Sequence, residues 1–471
     1  MSRSLLQFLK EVHQLHFRFL SGALKPAHAP IYVVGNPSAD LDSIISAIVY
    51  SYFAHLRTPA HSPRSHIPLL NLPTVPSGPE LYRLRPEFVK ALWLCTNNPH
   101  IAESEKWEET PESAGRILQE HILTVNDFAA HLRSYGYGKG DNETKLCADI
   151  TMVDWNAMPI RIQRGEGCLT GLEDVTFSVV GCIDHHVDEE FAPPLEAGSP
   201  YIIQPAGSCA SLVVDWLKST GIWQKQNDGN EYQTKAAVET QLASLALTPI
   251  LVDTANLTAE SKVTETDRDA VTFLSPIINK NQGDQTQGIQ NELYSQINET
   301  KKNSLDLLTI PEILDRDFKS WTETSPSGEK LHIGFCSVVK SIPWIVRKAD
   351  HGQSLLDSLT SFSRERELDI VVIMTAFSSK EDKFCRELLV YALRGGKAVD
   401  VVDSFVTDAS EQLGLQGWVS LGEDVEQFDE QQIRSTFSGD KGDRRRLWVQ
   451  TDVSKSRKQV APLLRGAVGQ A

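Results

Sequence analysis

The feature of this 471-residue chain that most constrains its fold is a recurrence: four apolar segments each run into carboxylates or imidazoles. IYVVGNPSADLDS (31–43) passes through Gly35, Asn36 and Pro37 to Asp40 and Asp42. TMVDW (151–155) stops at Asp154, VTFSVVGCIDHH (175–186) at Asp184, His185 and His186, and LALTPILVDTANL (245–257) at Asp253. Short apolar runs bounded by turn residues read as buried strands of a parallel sheet. The helical spacing of SIISAIVYSY (43–52) makes the first segment a strand–loop–helix unit. In a parallel α/β sheet ligands bind beyond the carboxyl ends of the strands, so these polar ends are expected to converge in one crevice.

The length calls for more than one domain. The reading divides the chain at NQGDQTQGIQNELYSQINETKKN (281–303), nearly free of strong apolar residues and taken as a linker or exposed helix. Residues 1–290 then form a larger α/β domain, a parallel β-sheet flanked by helices. Residues 304–471 form a smaller α/β domain with strand candidates in KLHIGFCSVV, LDIVVIMTAF, RELLVYAL and RRRLWVQTDV. Within the first domain, IPLLNLP reads as a second short strand, residues 103–145 as helical and charged, and SYGYGKGDNE as a loop. The amphipathic MSRSLLQFLKEVHQLHFRFL, poor in Arg and carrying Glu11, reads as a packed first helix in preference to a mitochondrial transit peptide.

The net charge of −16 argues against a nucleic-acid coat, which needs a basic face to release counterions. An anionic substrate stays compatible, because a metal or a local basic patch reverses the field inside one cleft. Seven scattered cysteines with no Cys-x-x-Cys pair fit a reduced, cytoplasmic protein and argue against structural zinc. No apolar run approaches the roughly 18–20 residues that span a bilayer.

Five carboxylates and two imidazoles exceed what one cation needs and suit two divalent ions sharing a carboxylate, about 3.5–4 Å apart in such sites. That chemistry belongs to a two-metal hydrolase. Each piece has an ordinary reading as well: Asp40 or Asp42 as a helix cap, Asp154 and Asp253 as loop carboxylates, and the histidine pair as one core and one exposed ring. Their coincidence at four strand ends favours metal.

The Asp-His-His at 184–186, with GNPSADLDS, the Asp154 of VDW and LVDTANL, resembles the DHH phosphoesterase superfamily. The branch is that of fungal exopolyphosphatases, prune proteins and manganese-dependent inorganic pyrophosphatases. LRPE (84–87), GSCASLVVDW (207–216), KVTETD (262–267) and SRKQVAPLL (456–464) extend the likeness over nearly the whole chain. The resemblance implies a DHH domain and a C-terminal DHH-associated domain, with the active site in the cleft between them. It implies two divalent ions (Mg, Mn or Co) with Asn36, Asp40, Asp42, Asp154, His185 and Asp253 as ligands, Asp154 bridging them. Asp184 then orients an imidazole and His186 faces a phosphate oxygen of the substrate. Arg457 and Lys458 of SRK clamp terminal phosphates, with Lys319 a third candidate. His186, Asp184, Arg457 and Lys458 form the implied catalytic set. In KGDRRRLWVQTDVSKSRK (441–458), the run Arg444–Arg446 reads either as a guide for a longer polyanion or as surface.

Asn36 stands where the pyrophosphatase branch carries histidine. An amide oxygen is a harder ligand than imidazole, so a first site more tolerant of magnesium is expected. The fungal exopolyphosphatases share this asparagine, and the expected activity is exopolyphosphatase, releasing terminal phosphate from inorganic polyphosphate. The alternatives are an inorganic pyrophosphatase, a prune-like nucleotide phosphodiesterase, or an interaction protein without catalysis.

Overall fold

The structure, a computed structural model, describes residues 4–57, 64–97, 106–137, 145–195, 198–223, 233–278, 286–306, 308–379, 381, 383–393, 395–421, 427–439 and 444–470. The chain divides into two compact units, Met1–Ser304 and Leu305–Ala471. Among the described residues no helix is long and apolar enough to cross a membrane.

In chain order the first unit runs α1 (Leu5–Leu20), β1 (Ile31–Val34), α2 (Leu41–Arg57), β2 (His66–Leu69), α3 (Pro79–Leu84), α4 (Pro86–Thr96), α5 (Pro111–His121) and α6 (Val125–Ser134). It continues through β3 (Leu146–Val153), β4 (Ile160–Gln163), β5 (Glu166–Leu169), β6 (Leu172–Asp184), β7 (Tyr201–Ile203), α7 (Cys209–Ser219), α8 (Gln233–Asp253), α9 (Glu265–Ile278) and α10 (Thr286–Asn303). The apolar stripe of α1 enters the core through Leu5, Phe8, Leu9 and Val12, and Ser4 caps its start by accepting from the Gln7 N–H. Each fully buried aliphatic side chain of this kind contributes about 1.5–3 kcal/mol.

The sheet order is β2-β1-β3-β6-β5-β4, with β7 added beside β6. β2, β1, β3, β6 and β7 are mutually parallel, while β5 and β4 turn back as an antiparallel hairpin. Val34 pairs with Met152 and Val153 with Ile183, so β1, β3 and β6 leave the sheet at one edge. The parallel sheet expected from the apolar runs is present. The chain passes from β1 to β2 on one side and then to β3 on the other, which opens a crevice between the ends of β1 and β3.

The fourth expected strand is a helix. Residues 245–253 belong to α8, where Leu242, Leu245, Ala246, Leu247, Ile250 and Leu251 are all fully buried. An unbroken apolar run fits a buried helix as well as a buried strand, and α8 packs on α2, α4, α7, α9 and α10. Pro249 inside it cannot donate to the Leu245 carbonyl, and the Thr248 hydroxyl does so instead at 2.7 Å. The expected linker is also helical from Thr286: α10 packs on α4 and α8, with Ile297 fully buried. Its first part, 281–285, lies outside the described residues, as do 103–105 and 138–144 of the segment read as helical and charged.

The second unit runs α11 (Ile310–Asp315), β8 (Phe318–Thr324), β9 (Lys330–Val338), α12 (Ile342–Lys348), α13 (Gly352–Glu365), β10 (Ile370–Thr375), β11 (Phe377–Ser378), β12 (Phe384–Cys385) and β13 (Glu387–Ala392). It ends with α14 (Lys397–Leu413), β14 (Leu415–Gly417), α15 (Gln427–Thr436), β15 (Arg444–Gln450) and α16 (Arg457–Val468). Its sheet, β14-β15-β13-β10-β9-β8, is antiparallel apart from the β9–β10 pair. Ile333, Phe335, Val372, Leu388 and Val390 join Val401, Phe405, Val460 and Leu464 of α14 and α16 in one core.

Candidate metal centre

The loop after β1 is built to aim side chains. Ala39 takes a left-handed backbone (φ 42°), and the Arg85 guanidinium, itself buried, donates to the carbonyls of Ser38 (2.5 Å) and Ala39 (2.9 Å). Asp40 then caps α2, its Oδ1 accepting from the Ser43 N–H at 3.0 Å. The capping role and the strand-end position are thus combined in one residue.

Asp154 sits in the crevice at the end of β3, also left-handed (φ 54°). Its N–H donates to the Ile183 carbonyl (2.9 Å) and to Cys209 Sγ (3.1 Å). Its Oδ2 accepts from the Ser43 hydroxyl (2.6 Å) and the Asn36 Nδ2 (2.7 Å). Its Oδ1 faces His185 Nε2 at 3.1 Å and His186 Nδ1 at 3.6 Å. Asp154, His185 and His186 form the group of possible metal ligands found among the described residues, with one ligand atom from each lying within 4.8 Å of the others.

The two imidazoles are held from behind. His185 Nδ1 lies 3.0 Å from the Ala206 carbonyl, which fixes the proton there and leaves Nε2 as the ligand atom. Asp184 is fully buried; its Oδ1 accepts from His186 Nδ1 (2.7 Å) and from the N–H groups of His185 (2.7 Å) and His186 (3.2 Å), while Oδ2 takes the Asn156 amide. Asp184 thereby orients the His186 ring.

Asp42, at the start of α2, is buried against the N-terminus of α7. Its carboxylate accepts from the Ser208 hydroxyl (2.8 Å) and from the N–H groups of Cys209 (2.6 Å) and Ala210 (2.9 Å). Burial first, then the charges of Asp154, Asp253 and Asp40, push the Asp42 carboxyl up, against the opposing pull of His185. Asp253, half-buried at the end of α8, is also pushed up, chiefly by burial; Lys301, Lys262 and His185 oppose this and Asp154 adds to it. Asp42 thus feels the charges of Asp40, Asp154, His185 and Asp253, while His186 adjoins this group through Asp154. After Asp253 the chain takes three successive left-handed residues, Ala255, Asn256 and Leu257. Such backbone is costly and concentrates where geometry is imposed.

Carboxylate oxygens with imidazole nitrogens are the donor set of divalent cations such as Mn²⁺, Mg²⁺ and Co²⁺. Buried carboxylates that repel one another call for cationic charge among them. The residues present fit such ions.

Asn36 departs from its expected role. Its amide oxygen accepts from the Ser38 N–H (2.9 Å) and hydroxyl (2.5 Å), because the turn at 36–38 folds back upon it. What it turns toward Asp154 is the amide N–H. In this arrangement Asn36 holds the carboxylate rather than offering oxygen to a cation.

Sequence reasoning missed the residues that brace the ligands. Asp267, fully buried, accepts at one oxygen from the Gly207 N–H, the Thr264 N–H and the Thr264 hydroxyl, and at the other from the Ser208 N–H and the Ser211 hydroxyl. It fixes the turn whose next N–H groups hold Asp42. A Cβ on Gly207 would lie 2.7 Å from Thr254 Cγ2 and 2.8 Å from Asp267 Oδ2, so only glycine fits. The available signal was the spacing Thr264-x-x-Asp267, a helix-start pattern.

The expected phosphate-binding residues belong to the second unit. Arg457, at the start of α16, donates to the Asp317 carbonyl (2.8 Å), the Asp317 carboxylate (2.8 Å) and the Ser337 hydroxyl (3.0 Å). Lys458 beside it is exposed, and Lys319 is half-buried on β8. Arg444 pairs with Asp403, and Arg445 and Arg446 donate to the carbonyls of Thr436 and Gly439, which accounts for them as framework. Residues 441–443 lie outside the described residues.

Residues 30–250 match the model of the DHH family, N-terminal domain, and residues 295–467 that of the DHHA2 domain. The chain thus carries a DHH domain followed by a DHHA2 domain. A Schizosaccharomyces pombe protein named "Putative exopolyphosphatase" is 29% identical over 466 residues, spanning 98% of each chain. A solved structure titled "Crystal structure of Methanococcus jannaschii putative family II inorganic pyrophosphatase" is 18% identical with a TM-score of 0.46, covering 93% of this chain and 99% of that one. In this DHH protein the tripeptide Asp184-His185-His186 is one braced unit: the aspartate fixes one ring, and the other ring is fixed by Ala206.

Proposed function

We propose that this DHH protein is a metal-dependent phosphohydrolase that releases terminal phosphate from inorganic polyphosphate. The observation that carries the reading is the convergence of Asp154, His185 and His186 at the carboxyl edge of the sheet, charge-coupled to Asp42 and Asp253. Asp40, Asp42, Asp154, His185 and Asp253 would hold two divalent cations. When bound, such ions supply Lewis acidity toward a phosphoryl oxygen and lower the pKa of water. His186, fixed through Nδ1 by Asp184, keeps Nε2 for a phosphoryl oxygen of the substrate. Asn36 and Ser43 hold Asp154 Oδ2, fixing the carboxylate that faces both histidines. In the second unit, Lys458 and Lys319 are assigned to substrate phosphates, and Arg457 sets the start of α16 through Asp317.

The fission-yeast relative and Asn36 in place of histidine support polyphosphate over pyrophosphate. Phosphate release is measured with long polyphosphate, tripolyphosphate, pyrophosphate and a cyclic nucleotide, each with Mg²⁺, Mn²⁺ or Co²⁺. The proposal expects the polyphosphates to be turned over fastest. Preferential turnover of pyrophosphate or of the nucleotide replaces the substrate assignment, and no product from any combination overturns the enzymatic reading.

A further inference from the structure

Arg386, between β12 and β13, is 7% exposed, and among the described residues its charge has no carboxylate partner. Its Nε donates to the Val453 carbonyl at 2.8 Å, and its guanidinium lies over the Phe384 ring at 5.0 Å. The η nitrogens carry four further N–H donors, and none of them meets a protein acceptor among the described residues. Burial holds its pKa below the usual guanidinium range, with no charge among the described residues contributing. Buried arginines are ordinarily paired, because removing the charge from water is expensive.

Val453 belongs to the loop 451–456 that leads into α16, and Gln450 Nε2 pins the same loop by donating to the carbonyls of Asp452 (2.8 Å) and Lys455 (2.7 Å). Two more cations, Lys455 and Lys458, follow on this loop and the first turn of α16. The loop's carboxylate, Asp452, is engaged by the Ser454 N–H and hydroxyl and lies 3.9 Å from Lys455 Nζ. Glu381 pairs with Lys383 at 2.6 Å. Asp452 and Glu381 thus have partners of their own, while among the described residues the guanidinium fork has none.

We propose that Arg386 anchors an oxyanion subsite on the second unit, its η nitrogens taking a tetrahedral phosphoryl group, either free orthophosphate or one unit of a polyphosphate chain. The planar fork matches two oxygens of such a group, which a lysine cannot reproduce. The Nε bond to Val453 sets the plane of the fork. Only the identity of the ligand rests on the phosphohydrolase reading; the unpaired buried charge stands without it.

The test uses the full chain in chelator, so that anion binding is read without turnover. Orthophosphate and tripolyphosphate are titrated calorimetrically into the wild type, Arg386→Gln and Arg386→Lys, with chloride at matched ionic strength as control. The wild type is expected to bind, Arg386→Gln to bind at least about tenfold more weakly, and Arg386→Lys to fall between. Tighter binding of tripolyphosphate assigns the subsite to the chain substrate; equal affinities assign it to orthophosphate. A purely structural arginine gives a lower Tm in Arg386→Gln with unchanged anion affinity, which overturns the proposal, as does a wild type that binds neither anion. If Arg386→Gln does not fold, Arg386→Lys decides: wild-type affinity there overturns the subsite. Failure of this binding leaves the phosphohydrolase reading standing, and absence of hydrolysis leaves the binding result intact.

Discussion

At Asp154 two neighbours share one carboxylate oxygen: the Asn36 amide and the Ser43 hydroxyl both donate to Oδ2, leaving Oδ1 toward the histidines. A histidine at position 36 would bring a borderline nitrogen ligand where an amide N–H now stands. Asn36→His is therefore expected to shift the metal preference of phosphate release from Mg²⁺ toward Mn²⁺, read as the ratio of rates with each ion. An unchanged ratio would show that a histidine at 36 does not reach a cation. The carboxylates and imidazoles of this cluster could be read from the sequence because they end apolar runs, where such groups are out of place. Their braces could not, since Cys209 and Asp42 are 167 positions apart and Cys209 donates through its backbone, which any residue but proline carries.

Among the elements, the N-terminus of α7 binds Asp42, and Asp267 on α9 locks the turn before it. Asp267→Asn replaces one acceptor oxygen by a donor against groups that already donate. Mn²⁺ affinity measured by calorimetry should fall about tenfold or more in this variant, the usual cost of disturbing an outer hydrogen-bond partner of a metal site. Unchanged affinity in a folded Asp267→Asn protein would remove the α7 turn from the metal site. α8 shows where sequence reading stopped: Leu245 to Leu251 has neither a period of two nor a one-sided stripe, because helices surround it. Tertiary packing, absent from the sequence pattern, decides between strand and helix there.

A second tie joins elements of the C-terminal unit. Glu387 of β13 is buried and accepts from the Ile342 N–H of α12 (2.7 Å), Trp418 Nε1 (2.7 Å) and the Thr375 hydroxyl of β10 (3.2 Å). Burial outweighs these donors and raises its pKa from 4.5 to about 7. The folded state then holds this proton more tightly than the unfolded chain does. Its stabilising contribution is complete below pH 4.5, is lost as the pH rises toward about 7, and stays lost above it. Relative to Glu387→Gln, the wild type should lose about 3 kcal/mol of stability across that window, by chemical denaturation at a series of pH values. A difference that does not vary with pH would contradict the assignment.

For the whole molecule, a chain of net charge −16 brings several carboxylates together at these strand ends, where burial first and neighbouring carboxylates second push Asp42 and Asp253 up. That arrangement is costly for a protein without cations and apt for one that binds them. The DHH and DHHA2 matches and the two compact units place the chemistry-bearing strand ends in the first unit and the SRK segment in the second. The measurement that bears most directly on the account is orthophosphate release from long polyphosphate by Asp154→Ala beside the wild type, with Mn²⁺ and with Mg²⁺, in protein shown by circular dichroism to be folded. Loss of the carboxylate that faces both histidines should lower the rate by about a thousandfold or more with either ion. A folded Asp154→Ala protein that releases phosphate at close to the wild-type rate would contradict the metal centre assigned at these strand ends.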